Sequence, residues 1–212
     1  MKLSLLKRKI LNRAAYYISL WKLRPLLAKL NEQSLVLDCG ANIGEISQQF
    51  LNTGAEVISF EPDPTAFALL EKRFRGKQGI TLMNKAVWTE DTQLTFYLHE
   101  DRNEDHAELT VSSSVYGNKK NVSQEHKLEV EAIDLIDFID KLDRRVSLIK
   151  IDIEGAETDI LFKMIEAGTY KKFDLAVVET HESKIPGQDK EIAKINALFK
   201  EKGIDNIKLN WI

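Results

Sequence analysis

Acidic side chains follow the apolar segments of this sequence in a pattern that predicts a binding site. Four short apolar runs read as buried strands. The acids that follow them are Asp38, Glu61, Asp152 with Glu154, and Glu179, and His181 comes two residues after the last of these. In open α/β sheets, ligands bind beyond the carboxyl ends of the strands, so these groups are expected to meet at one edge. Because neighbouring carboxylates repel one another, the cluster favours a ligand with positive charge or several hydroxyl groups.

The most compact motif is Asp-x-Gly-x-x-x-Gly, formed by Asp38, Gly40 and Gly44. A strand that turns through glycines into a helix is a ligand-binding corner of a doubly wound sheet. The spacing differs from Gly-x-Gly-x-x-Gly, and a carboxylate at the strand end would repel a pyrophosphate. S-adenosylmethionine, which carries a sulfonium and an ammonium group, fits better. The glycine pattern alone is a weak signal of a nucleotide site, so the choice of cofactor depends on the surrounding residues.

Glu61 lies 17 residues after Gly44, at the end of the second apolar run. A carboxylate at this place can accept hydrogen bonds from both hydroxyls of a ribose. Dinucleotide-dependent enzymes share this feature, so it supports an adenosine without choosing the cofactor. The acids at Asp38 and Asp152 favour the sulfonium compound.

Length and composition favour one soluble α/β domain. The chain has 212 residues, of which 43% are hydrophobic and 30% charged. The single cysteine, Cys39, excludes an internal disulfide and a cysteine-based zinc site, and a reducing cytoplasm is the expected compartment. No apolar run approaches the roughly 18 residues that span a bilayer, and charges interrupt the N-terminal segment too often for a signal peptide.

The net charge of −3 is unevenly distributed. Eight basic residues and one acid give residues 1–33 a charge of +7, which leaves −10 on the remainder. An acidic body disfavours nucleic acid as a substrate. Residues 4–31 read as one or two amphipathic helices, with a break expected at Arg24–Pro25. This extension either packs on the domain edge or over the cofactor pocket, or contacts anionic lipid or an anionic carrier.

The order of predicted elements indicates a doubly wound, mostly parallel Rossmann-like sheet with helices on both faces, preceded by the N-terminal helices. The chain from Leu35 to Met83 reads as βαβαβ, with strands over Leu35–Asp38, Glu56–Phe60 and Ile80–Met83. Strands are also predicted over Leu94–Leu98 and Lys127–Glu131, followed by a helix over Ile133–Leu142. The irregular stretch at about 99–127 is predicted to be a lid over the substrate or a surface loop.

The rest of the chain returns to a regular alternation. Strands are predicted over Val146–Asp152, Phe173–Val178 and Ile207–Trp211, with a helix over Lys190–Lys202 before the last of them. We therefore expect a helical extension over residues 1–33 and one catalytic domain over residues 34–212.

Several segments resemble the FkbM family of class I S-adenosylmethionine-dependent methyltransferases across about residues 34–182. They are Val36–Gly44, Phe60–Pro62, Asn84–Val87, Ser113–Ser114, Lys150–Glu157 and Glu179–His181. The most specific is Lys-x-Asp-x-Glu-Gly-x-Glu. One departure is that a single strand follows Gly203, where class I sheets usually close with an antiparallel pair.

The resemblance implies O-methylation of a sugar or natural-product hydroxyl. It implies that Asp38, Gly40 and Asn42 hold the methionine end of the cofactor, that Glu61 holds the ribose, and that Asn84 and Ala86 border the adenine. Neighbouring residues complete the expected cofactor site: Ala41, Gly44, Pro62 and Asp152.

An alcohol is a poor nucleophile, so a general base is expected to assist the transfer. His181 is the first candidate because imidazole titrates near neutrality, and Glu154 is the second. Lys150 is expected to neutralise neighbouring acids or to orient the substrate. Asp152, Glu179 and His181 could also bind a divalent metal, although we assign no metal site.

Two other functions stay open at this point. They are a nicotinamide-dependent oxidoreductase, against which the glycine spacing and Asp38 argue, and a non-catalytic adenosine-binding module. A nucleic-acid methyltransferase is disfavoured because Asp152–Gly155 stand where an Asn-Pro-Pro-Tyr segment would follow the strand. The acids and serines of the pocket suit a neutral polyol acceptor. We expect a cytoplasmic protein whose basic N-terminus contacts the membrane or a lipid-linked acceptor.

Overall fold

A six-stranded parallel sheet forms the centre of the protein. The computed structural model describes residue 18, residues 20–100 and residues 113–209. The strand order is β3-β2-β1-β7-β8-β9, and every pairing in this sheet is parallel. Its strands are β1 (Leu35–Cys39), β2 (Glu56–Phe60), β3 (Ile80–Met83), β7 (Val146–Ile151), β8 (Phe173–Val178) and β9 (Ile207–Leu209).

Helices cover both faces of this sheet. They are α1 (residue 18 and residues 20–27), α2 (Glu45–Leu51), α3 (Pro64–Phe74), α4 (Leu135–Asp140), α5 (Glu157–Ala167) and α6 (Gln188–Lys202). Alternate residues of a strand point to opposite faces. Leu37 and Ile149 accordingly pack with α4, α5 and α6, whereas Val36 and Leu148 pack with α1 and α2. The predicted fold class is therefore confirmed.

A second, three-stranded sheet stands beside the first. It has the order β4-β6-β5 and consists of β4 (Ala86–Trp88), β5 (Thr92–His99) and β6 (Val122–Asp134). The helix predicted over Ile133–Leu142 begins only at Leu135. Ile133 and Asp134 pair with β4, and the Asp134 carboxylate caps the helix by accepting from the backbone N–H of Ile136 and Asp137.

Only part of the predicted lid can be compared with the structure. Residues 101–112 lie outside the described residues. His99 ends β5, and residues 122–127 begin β6, so both ends of the predicted segment are strand residues. Residues 113–121 connect to the second sheet through an antiparallel bridge between Ser114 and Tyr97.

The helix break predicted at Arg24–Pro25 is wrong, because α1 continues through Pro25 to residue 27. A proline inside a helix costs about 3 kcal/mol. Leu23 is fully buried, and Leu26 and Leu27 pack against the same cluster. Since burying one leucine completely contributes about 1.5–3 kcal/mol, these contacts offset the cost. The expected helical residues before position 18 lie outside the described residues.

The final strand forms an edge of the large sheet. β9 pairs in parallel with β8, and residues 210–212 of the predicted strand lie outside the described range. The described part of this sheet thus lacks the antiparallel closing pair. None of the described helices has the length and apolar character needed to cross a bilayer.

Candidate active site

Gly40 brings the ends of β1 and β7 into direct contact. Its φ is +81°, and a Cβ atom built there would lie 1.8 Å from the carbonyl oxygen of Asp152. The backbone N–H of Asp152 donates to the Cys39 carbonyl at 3.1 Å, which locks this junction. Gly44 has a different role, because its Cβ would meet Leu70 of α3 at 2.5 Å. The first glycine shapes the strand-end corner, and the second allows helix packing.

Replacing Gly40 by alanine should therefore prevent stable folding. The methyl group would overlap a backbone atom, so β1 and β7 would have to separate, at a cost expected to exceed about 4 kcal/mol. Gly168→Ala is the matched control, because φ is +74° there but no atom lies within 4 Å of the new Cβ. The control should lose only about 1–2 kcal/mol. Chemical denaturation followed by circular dichroism measures both, and equal losses would contradict the proposed overlap.

Asp38 and Lys150 form a buried ion pair beneath the corner. The Asp38 carboxylate accepts from Ser47 Oγ at 2.6 Å and lies 3.4 Å from Lys150 Nζ. Lys150 Nζ also lies 3.3 Å from the Asp152 carboxylate and donates to the Gly40 carbonyl at 2.8 Å. Burial opposes the charge on Lys150, but Asp152 and Asp38 outweigh it and raise the pKa of this amine above its ordinary value. Lys150 is thus a permanent cation that neutralises the acids around it.

Glu61 is held by backbone groups of the first two strand-end loops. Its carboxylate oxygens accept from the N–H of Asn42 and of Asp63, each at 2.8 Å. Burial raises the pKa of Glu61 to about 8, although these two donors pull it in the opposite direction. The Asn84 side chain donates to the carbonyls of Glu61 and Pro62 at 2.8 and 3.1 Å. Asn84 therefore fixes the loop that carries Glu61.

A cleft opens at the carboxyl ends of β1, β2 and β7. Predicted site residues that line it are Gly40, Asn42, Glu61, Pro62, Ala86, Asp152 and Glu154. Apolar side chains form another part of the wall: Phe60, Val87, Phe96, Val115, Ile153 and Ala156. Asp38, Ala41, Gly44, Asn84, Lys150 and His181 do not line it. The Ser113 hydroxyl also faces this cleft, and its oxygen is buried without a hydrogen-bond partner among the described residues.

Glu154 has an unusual backbone conformation and several cationic neighbours. Its φ is +59°, which is strained for a residue with a side chain, and Ser114 Oγ donates to its carbonyl at 2.7 Å. The carboxylate pairs with Lys119 and lies 3.1 Å from His181 Nε2. Burial alone would raise the pKa of Glu154, but His181 and Lys119 dominate and hold it far below its ordinary value. Glu154 is therefore a fixed anion at the cleft.

His181 is buried between two glutamates. Nδ1 lies 3.1 Å from Glu157 Oε1, and Nε2 lies 3.1 Å from Glu154 Oε2. Burial lowers the pKa of the imidazole, but hydrogen bonds to Glu154 and Glu157 prevail and raise it to about 10. Both nitrogens then carry protons at neutral pH, and neither can accept one. A pKa this high is unsuited to the general-base role predicted for His181, and its contact with Glu154 suits a side chain that holds that carboxylate.

Comparisons with known proteins identify the family. The family model of the methyltransferase FkbM domain matches residues 38–204. The chain belongs to the FkbM methyltransferase family.

Two matches to this FkbM methyltransferase share a modest part of its sequence. "Methyltransferase 1" of Beauveria bassiana (strain ARSEF 2860) is 27% identical over 200 residues, covering 84% of this chain and 74% of the relative. The crystal structure of a proposed RNA methyltransferase from Pyrococcus horikoshii matches with 16% identity and a TM-score of 0.41. That match covers 85% of this chain and 65% of the other, less than two thirds of its length. A likeness of that size carries no argument about substrate or fold.

Glu179 is the acid of the FkbM site that is closest to titrating at neutral pH. It follows β8, next to Asp152 after β7, because Ile151 and Val178 are paired in register. Burial and the negative charge of Asp152 raise the pKa of Glu179 to about 7. Its side chain is 28% exposed, so solvent reaches it. The sequence indicated Glu179 only as a strand-end acid and a metal-ligand candidate, and gave no sign that its pKa lies near neutrality.

A metal site was considered at Asp152, Glu179 and His181. In the described part of this FkbM methyltransferase, one set of possible metal ligands has its ligand atoms within 4.8 Å of one another. The set is Asp152, Glu157 and His181, so Glu157 takes the place predicted for Glu179. A metal bound there would have to displace a proton from His181, which Glu154 and Glu157 hold strongly. The cations Lys119 and Lys150 already neutralise neighbouring acids. We therefore assign no metal to this cluster.

Proposed function

We propose that this FkbM methyltransferase transfers a methyl group from S-adenosylmethionine to a hydroxyl of a sugar, glycan or natural product. The observation that carries the proposal is the buried carboxyl group of Glu61, which faces the same cleft as Asp152 and Glu154. Glu61 can accept hydrogen bonds from a ribose, whereas Asp152 and Glu154 suit a cationic centre and an acceptor that carries hydroxyl groups.

The residues of the cleft fit the cofactor. Glu61 uses one lone pair of each oxygen for Asn42 and Asp63, so further acceptor capacity remains for two hydroxyls. Gly40 allows the ends of β1 and β7 to meet, which brings Asp152 to the cleft. Phe60 and Val87 supply apolar contact suited to an adenine ring. When bound, S-adenosylmethionine would supply an electrophilic methyl group.

The charges at the cleft favour a neutral acceptor. Lys85 lines the cleft, but its Nζ lies 3.1 Å from Glu131 Oε2. Lys119 is paired with Glu154. Asp152 and Glu154 would therefore repel an anionic acceptor. The nearby lysines would compensate little, because they are already paired with acids. The hydroxyl of Ser113, a residue that lines the cleft, offers a neutral acceptor a hydrogen bond.

Glu179 is the proposed general base. A base is most effective when its pKa lies near the working pH, and the pKa of Glu179 is about 7. Glu154, which lines the cleft and is held by Lys119 and His181, orients the acceptor hydroxyl. The proton of the hydroxyl would pass to Glu179, from which solvent removes it.

A methyl-transfer assay tests this proposal. The protein is incubated with S-adenosylmethionine carrying a labelled methyl group and with panels of neutral glycosides, anionic sugars and polyphenols. We expect label in a neutral hydroxyl compound, retained after mild alkali because a methyl ether resists it. Label that mild alkali releases would indicate a methyl ester and would contradict O-methylation of a hydroxyl.

Cofactor affinity should depend on pH through Glu61. In the free protein the carboxyl group has a pKa of about 8, so below that pH it must lose a proton before it can accept both ribose hydroxyls. The affinity for S-adenosylhomocysteine should rise with pH from 6 to about 8, by up to about tenfold per unit, and then level off. Calorimetry in buffers of different ionisation enthalpy should also detect proton release. A pH-independent affinity over this range would contradict the role of Glu61.

A further inference from the structure

An apolar surface on α1 faces solvent, away from the catalytic cleft. Among the described residues, three large hydrophobic side chains are strongly exposed, and two of them, Ile18 and Trp21, lie three positions apart on one face of this helix. Trp21 is 72% exposed, although tryptophan is usually well buried. Leu23, in contrast, packs into the core. The buried side of the helix thus holds it against the core, and Trp21 on the other side is exposed to solvent.

Basic residues surround this exposed pair. Lys22 follows Trp21 directly, Arg24 lies three positions after it on the helix, and Lys29 lies two residues after the helix ends. Residues 1–33 as a whole carry a charge of +7, whereas the remainder carries −10. An anionic surface would therefore attract this end of the molecule and repel the rest, which favours one orientation.

We propose that the α1 surface, formed by Ile18, Trp21, Lys22 and Arg24, docks on an anionic lipid bilayer. Tryptophan is enriched at membrane interfaces because its ring is apolar and its N–H can stay hydrated. Basic side chains beside an apolar face supply the attraction to anionic headgroups. This pairing of an exposed tryptophan with a concentrated positive charge matches a bilayer better than a protein groove. The inference is independent of the methyl-transfer proposal.

Vesicle co-sedimentation of the full chain tests the docking. Vesicles of phosphatidylcholine with and without phosphatidylserine are compared at low and high salt. We expect at least tenfold stronger binding to the anionic vesicles, loss of that difference at high salt, and a blue shift of tryptophan emission on binding. Equal or absent binding to both vesicle types would overturn the proposal.

A double variant and a matched control test the apolar contribution. Ile18→Ser with Trp21→Ala should weaken binding at least fivefold and remove the blue shift. Leu69→Ser is the control, because Leu69 is the third exposed hydrophobic residue and lies on α3, and it should bind like wild type. Thermal unfolding confirms that each variant folds. If the double variant binds as wild type does, the surface is not the docking site. If it converts a dimer to a monomer, a second copy covers the surface, and the proposal fails.

Discussion

Replacing Glu61 by alanine should abolish measurable binding of S-adenosylhomocysteine. The variant loses a carboxylate that would accept from two ribose hydroxyls. Hydrogen bonds to charged groups contribute about 1.5–3 kcal/mol each, so the dissociation constant should rise by about 10²- to 10⁴-fold. Isothermal titration calorimetry at pH 8, where Glu61 is about half ionised in the free protein, gives the cleanest comparison.

The control for this experiment must separate binding from folding. Glu61→Ala leaves the backbone N–H groups of Asn42 and Asp63 without their carboxylate partner, and it will destabilise the loops somewhat. Thermal unfolding shows whether the variant is folded at the titration temperature. Glu71→Ala removes an exposed glutamate from α3 and should bind normally. A folded Glu61→Ala protein with wild-type affinity would contradict the assignment of the ribose site.

Replacing Glu179 by glutamine should lower kcat by about 10²- to 10⁴-fold while cofactor affinity changes little. The amide keeps the size of the side chain but cannot accept a proton at neutral pH. In wild type, kcat should rise with pH through about 7 as Glu179 ionises, and the variant should lose this dependence. Steady-state kinetics over a pH series, with an acceptor found in the panel above, measures both effects.

Glu154→Gln is the informative comparison for Glu179. This glutamate is already a carboxylate far below neutral pH, so its loss should disturb orientation and raise KM for the acceptor, without removing the titration near pH 7. The opposite result, in which Glu154→Gln abolishes the titration and Glu179→Gln keeps it, would assign the base to Glu154. His181→Gln should behave like Glu154→Gln, because His181 acts by holding that carboxylate.

The parallel sheet and its strand-end acids could be predicted from the sequence because both depend on local patterns. Continuous apolar runs identify buried parallel strands, and strand direction then places the following acids at one edge. Asp38, Glu61 and Asp152 accordingly lie around one corner of the structure. Gly40 could be recognised for the same reason, since a glycine directly after a strand marks a close backbone approach.

Contacts between distant residues could not be predicted in this way. The partners of Glu154 include Lys119, 35 positions earlier in an irregular segment, and His181 in the loop after β8. Nothing in the local pattern distinguishes a histidine that titrates near neutrality from one that two glutamates keep protonated. The role of His181 therefore depends on tertiary packing, which the sequence alone does not reveal.

Short or context-dependent elements were also beyond prediction. β4 has only three residues, too few to show a period, so its separation from β3 into a second sheet was not apparent. Pro25 was expected to break α1, but the buried Leu23 keeps the helix continuous. In both cases packing against the rest of the protein overrides a local preference.

Calorimetric titration of the wild-type protein with S-adenosylhomocysteine, with NADH titrated in parallel, tests the central claim most directly. We predict one-site binding of S-adenosylhomocysteine with a micromolar dissociation constant and no heat from NADH. Binding of NADH without S-adenosylhomocysteine would contradict the cofactor assignment. No binding of either compound to the folded protein would contradict the assignment of this cleft as a cofactor site.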